Sequence, residues 1–233
     1  MKRLLLILPL LLTFTITNAQ QFKIGIIAGL GITDVAGADL IDNDNDFQKG
    51  GFIGGGFVNT KIGQTTQMQL EISFMQKGSQ VPPDTLHMNN YYVLNLNYVD
   101  VSLMVRQPIH ININRKMSDK YGLIFGLTYG NLVYYSFEVQ GINYQLNLNS
   151  FDASAFIGFY YNFTPNFFFD MRYSNSFITA IKHDGSNSQW YPYYGSWNDG
   201  NNMAFELRLG YVFVGGSSAG DNSPSAAPGA PAQ

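Results

Sequence analysis

Residues 66–77 read TQMQLEISFMQK and divide cleanly by parity. Met68, Leu70, Ile72 and Phe74 fall on one side; Gln67, Gln69, Glu71, Ser73, Met75 and Lys77 fall on the other. Successive side chains of a β-strand point to opposite faces, so this period of two predicts a strand with one apolar and one polar face. Similar alternation predicts strands over 22–32, 51–62, 91–106, 121–135, 144–162, 167–174 and 202–214, eight with the first. The turns after the second, fourth and sixth read as mostly short. The connections after the first, third, fifth and seventh read as long loops, the fifth running through a hairpin near GIN, 141–143. An even strand number with alternating short turns and long loops predicts an all-β, eight-stranded antiparallel transmembrane up-and-down β-barrel, apolar side chains toward lipid and polar ones toward a lumen.

Targeting and composition agree with that choice of solvent. MKRLLLILPLLLTFTITNAQ carries Lys2 and Arg3, an apolar run over 4–12 and a small-residue site at Ala19. It predicts a signal peptide over 1–19, since the run is far short of the ~20 residues a spanning helix needs. Its removal takes the formal charge from −3 to −5 (two bases lost, no acid) and leaves 214 residues (233 − 19), enough for one barrel over 20–214. Charged residues are only 12% while aromatics reach 15%, as an apolar outer wall requires. With no cysteine to staple an exported chain, closure of the sheet must supply the stability. Residues 215–233, rich in Ala, Pro, Gly and Ser, predict a disordered periplasmic tail. Both termini are therefore expected in the periplasm.

One strand resists the pattern. In 91–106, Leu94, Leu96 and Tyr98 share one parity, and Val99, Val101, Leu103 and Val105 the other. A bulge near Tyr98 or projection of the first half above the bilayer would each account for it, and projection is the expectation.

Several stretches resemble the PorT-like outer-membrane β-barrel family of Gram-negative bacteria. KIGIIAGLGIT is similar to its opening strand, and MQLEISFMQKG to its "pELlYsqkG" strand, with Glu71 and Gly78 in place. NYVDVSLMV resembles "nYleiPlll", with Ser102 where the family usually has Pro, and FFFDMRYSNSF resembles "ldlrYs". The outward aromatic Phe213 at the end of the last strand is similar to the signal read by the barrel-insertion machinery, although here a tail follows it. The resemblance implies an outer-membrane barrel over nearly all of 20–213. Some members of the family serve secretion and gliding machinery.

Parity places Lys23, Lys61, Lys77, Arg106, Arg172 and Arg208 inside, with Glu71, Asp100, Asp152, Asp170 and Glu206. Six bases against five acids is nearly balanced, whereas a selective pore lines itself with one sign. The interior of eight strands is only just wide enough for side chains to fill it. Charges there must pair, because an orphan costs ~3–5 kcal/mol. The expectation is an interlocked network around Glu71 and Arg172 that closes the lumen.

Other motifs are weaker. Asp42, Asp44 and Asp46 have the spacing of a calcium loop, but Phe47 and Ile53 stand where such a loop wants Gly and Glu. A solvated acidic loop is the expectation. His183–Asp184 with Asp84 and His87 would be needed for a rim enzyme, and His110 is the remaining histidine. No motif fixes a nucleophile for them, so no catalysis is expected. Trp190, Tyr191, Tyr193, Tyr194 and Trp197 in WYPYYGSW suit either a partner hot spot or an interfacial girdle. The acidic mature chain gives nucleic acid no electrostatic footing. No cofactor is implied. The partners expected are outer-membrane lipid and, through outer loops or tail, other envelope proteins. An accessory or scaffold role is the first reading; a narrow channel for small solutes and a rim enzyme are the alternatives.

Overall fold

A computed structural model of the chain describes residues 22–36, 48–81, 91–109, 120–181 and 200–215. Among these residues nine strands form: β1 (Lys23–Ala36), β2 (Lys49–Lys61), β3 (Gln67–Val81), β4 (Tyr92–Pro108), β5 (Tyr121–Val139), β6 (Ile142–Tyr144), β7 (Phe151–Asn162), β8 (Phe167–Ile181) and β9 (Gly200–Gly215). Every pairing is antiparallel, in the order β4-β3-β2-β1-β9-β8-β7-β5-β6, and β4 also pairs with β5. That last pairing closes eight strands into a ring. The three-residue β6 extends the stave begun by β7 along the upper edge of β5. A closed ring leaves no sheet edge exposed, which a strand in lipid requires.

The alternation read from the sequence has the expected sense. Ile24, Leu30, Leu70, Ile72, Leu103, Leu127, Ile157 and Leu207 point outward and are exposed, while Glu71, Asp170 and Arg172 point inward and are buried. Burying charge and exposing aliphatics is the reverse of a water-soluble core, and it is stable only when the surroundings are apolar. At one rim Tyr161, Phe163, Phe167, Tyr211 and Phe213 stand in edge-to-face and stacked pairs, a girdle of the kind that flanks a lipid-facing band. The short connections 62–66 and 163–166 lie at this same end. Thr164 Oγ1 fixes the second by accepting from the backbone N–H groups of Asn166 and Phe167.

Four details depart from the sequence reading. The fifth connection keeps the hairpin read near 141–143 but has no long loop around it: Gln140 and Gly141 take φ of 50° and 80°, which turns β5 directly into β6. The sixth stave is interrupted over 145–150. Strands β1 and β8 continue well beyond Ile32 and Ser174, because polar residues such as Thr33, Asp34 and Ser176 find partners inside the ring.

The fourth concerns β4, whose alternation runs unbroken from Tyr92 to Pro108. The bulge lies in the partner strand instead. Asn97 pairs with Tyr134 and Tyr98 with Leu132, so Val133 is the extra residue and reverses the parity of β5 above it. What inverts at this height is polarity. Tyr92, Leu94, Leu96 and Tyr98 point inward, while Asn95 and Asn97 face out. With Phe137, Val139, Leu146 and Ile181 they build an apolar core inside the loop end of the barrel. Strands of 17 and 19 residues exceed the 9–11 that cross a bilayer, which leaves length for this cap.

Candidate functional site

The lumen below the cap is filled in layers. Nearest the short turns, the Arg106 guanidinium lies 4.3 Å from the ring centres of both Tyr160 and Phe168. Its Nη1 reaches Gln69 Oε1 at 3.4 Å, and Gln69 in turn donates to Glu71 Oε2 at 2.9 Å. Stacking of this kind is how a weakly hydrated guanidinium tolerates burial.

The next layer is a cluster of five charges from three strands. Arg172 donates to Glu71 through Nη1 and Nη2 at 3.3 and 3.0 Å, and to Asp170 through Nε and Nη2 at 3.1 and 3.0 Å. Arg208 binds Glu71 Oε1, reaches Asp170 Oδ1 at 3.5 Å and donates to Glu206 Oε2 at 3.1 Å. Ser174 adds a long contact to Glu206. Three acids and two bases leave one negative charge, which Arg106 in the layer below answers. Backbone clearance makes room for the arginine stems: Gly29 pairs with Arg208 and Gly158 with Arg172. A Cβ at Gly158 would fall 2.2 Å from the Met171 carbonyl oxygen.

Above this layer, Lys77 Nζ sits 2.9 Å from Asp152 and 3.4 Å from Asp100. Ser176 donates to Asp152, while Asp100 Oδ1 is buried without a hydrogen-bond partner. Higher still, Asp34 accepts from Ser79 Oγ at 2.8 Å, and that hydroxyl lies 3.0 Å from the Tyr92 hydroxyl.

Two of the inward residues expected from parity stand apart. Lys23 is half-buried and Lys61 exposed; both lie at the short-turn mouth, away from the paired clusters, because the strands end there. Arg106 is buried but held by rings and an amide rather than by a direct ion pair. Among the described residues the buried charges are therefore Lys77, Arg106, Arg172 and Arg208 against Glu71, Asp100, Asp152, Asp170, Glu206 and Asp34. Reading the first strand as ending at Ile32 left Asp34 in a loop. The rings around Arg106 were visible only as inward parity at Tyr160 and Phe168.

Asp42, Asp44, Asp46, Asp84, His87, His110, His183, Asp184, Trp190, Tyr191, Tyr193, Tyr194 and Trp197 lie outside the described residues, as do 1–21 and 216–233. Among the described residues no group of three or more His, Asp or Glu could hold a metal ion.

The fold is similar to three solved structures at low identity. Neisserial surface protein A aligns with a TM-score of 0.48 at 11% identity, covering 82% of this chain and 97% of that one. Ail, the attachment invasion locus protein of Yersinia pestis, aligns at 0.46 and 15%, covering 83% and 99%. OprG of Pseudomonas aeruginosa aligns at 0.39 and 12%, covering 84% and 96%. No curated protein matches the chain. Residues 18–182 match the outer membrane protein β-barrel domain, a span that takes in β1 to β8. With a closed antiparallel ring that turns its aliphatics outward, the chain belongs to the outer-membrane protein β-barrel domain family.

Proposed function

We propose that this protein is a non-enzymatic accessory or scaffold of the outer membrane that acts through what its barrel presents at the two ends. The observation that carries the reading is the burial of the lumen. Glu71 and Asp170 are 0% exposed and Arg172 2%, whereas a conducting pore leaves its lining open to water. With the middle shut, contacts at the ends are what remains. In this reading the short-turn end and both termini face the periplasm, as in barrels with short periplasmic turns. The longer connections face outward, and Trp190, Tyr191, Tyr193, Tyr194 and Trp197 supply a partner anchor. The short motifs shared with the PorT-like family support a link to a secretion or envelope machine.

Affinity purification of the full chain from native outer membranes tests this, with residues 190–197 and 216–233 deleted separately. A defined envelope partner that is lost with one deletion, while the barrel remains folded, is the expected result. In planar bilayers the wild type should show no steady conductance. A stable open-state current would overturn the closed-lumen reading in favour of a narrow channel.

A further inference from the structure

We propose that the short-turn mouth of the barrel is a binding site for a small phosphate-type oxyanion. A cavity of about 180 Å³ opens there across the inside of the ring, lined from β1 to β4 on one side and β7 to β9 on the other, with Lys23 and Lys61 at its rim and Arg106 at its floor. No carboxylate lines it. The amides of Asn59, Gln67 and Gln69 complete a wall of hydrogen-bond donors and acceptors. The charge of Arg106 is answered from above, where Gln69 links it to the Glu71 layer. The uncompensated charge is that of Lys23 and Lys61, for which no carboxylate lies within ion-pair distance among the described residues.

Two lysines facing one concavity, over a guanidinium whose faces are covered by Tyr160 and Phe168, leave only N–H edges to meet a ligand. The volume equals that of about six liquid waters, too small for a drug-sized solute and sufficient for a phosphate or a phosphate ester head. The low-dielectric barrel wall concentrates the field of the lysines in the mouth, which favours capture of an anion. A soluble ion and a lipid headgroup at the rim present the same phosphate and are recognised by the same chemistry.

The test uses the full mature chain and the temperature at which it loses its heat-modifiable gel mobility, since a ligand that binds the folded state raises that midpoint. One arm titrates inorganic phosphate, against chloride at equal ionic strength, in a non-ionic detergent. The other compares phosphatidylcholine nanodiscs with and without phosphatidylglycerol. A saturable rise in the first arm assigns a soluble anion, and a rise confined to the second assigns a headgroup. Either supports the site when Lys23→Gln/Lys61→Gln weakens the response about tenfold, the loss expected for charge-assisted hydrogen bonds. Lys49→Gln removes one charge at the opposite end and should leave the response intact. Absence of a rise in both arms overturns the proposal. So does a rise undiminished in the double variant, or one lost equally in Lys49→Gln.

Discussion

Arg172 and Glu71 are 101 residues apart in sequence and face each other across the lumen, joined by two N–H···O contacts of 3.3 and 3.0 Å. Both are buried, and each also holds a second charged partner: Arg172 binds Asp170, and Glu71 binds Arg208. The pair is thus the crossing point of a network that ties β3 to β8 and β9 through the interior, where no backbone hydrogen bond joins β3 to β8.

Removing either member should strand the charges it serves. Glu71→Ala leaves Arg172 and Arg208 competing for Asp170 and should cost about 3–5 kcal/mol, the range for breaking a buried pair. Glu71→Leu combined with Arg172→Leu should cost less than the sum of the two single changes, because both charges leave together. Denaturant titration of the barrel in detergent measures both. Strict additivity would show that the two do not interact.

The two aspartates around Lys77 should differ. Asp152 is the nearer at 2.9 Å and is also bound by Ser176, whereas Asp100 is at 3.4 Å and leaves one buried oxygen without a partner. Asp100→Asn removes a surplus buried charge and should change stability by less than about 1 kcal/mol, while Asp152→Asn should lose about 2–3 kcal/mol. The order of the two unfolding midpoints is the measurement, and the reverse order would refute this assignment.

Inward glycines should reject a methyl group where outward or open ones accept it. Gly158→Ala forces a Cβ against the Met171 carbonyl and the Arg172 stem and should destabilise by about 1–3 kcal/mol. At Gly50 nothing lies within 4 Å of an added Cβ, and Gly50→Ala should be nearly neutral. Paired unfolding curves for the two variants settle the contrast.

The outer wall gives a fourth expectation. Leu127 is 62% exposed on the outer face, so it is in contact with lipid. Leu127→Arg should lower the stability of the bilayer-inserted barrel by about 2–4 kcal/mol if this height lies at the midplane. The same change at Asn131, two alternations higher in β5 where the outward residue is already polar, should cost under about 1 kcal/mol. Equal costs at the two positions would mean the band has been misplaced.

Period-two alternation in residues 66–77 and its repeats determined the strands and their two faces, since the side-chain period of a strand is a local property of the backbone, while the leader-like 1–19 and the low charge pointed the apolar face to lipid. Parity likewise put Glu71, Asp170, Arg172 and Arg208 on the inner face. Their partners could not be read that way, because which inward residues meet depends on the shear between strands, and shear is set only when the ring closes. Tertiary structure therefore decided that Arg172 takes Glu71, that Arg106 lies between two rings, and that Lys23 and Lys61 stay at the mouth. It also moved the parity change from β4 to Val133 of β5. A bulge belongs to a pair of strands, and neither sequence alone shows which of the two carries the extra residue. Asp34 was hidden for a related reason: its burial inside β1 is made tolerable by partners distant in sequence, among them the hydroxyl of Ser79, 45 residues away.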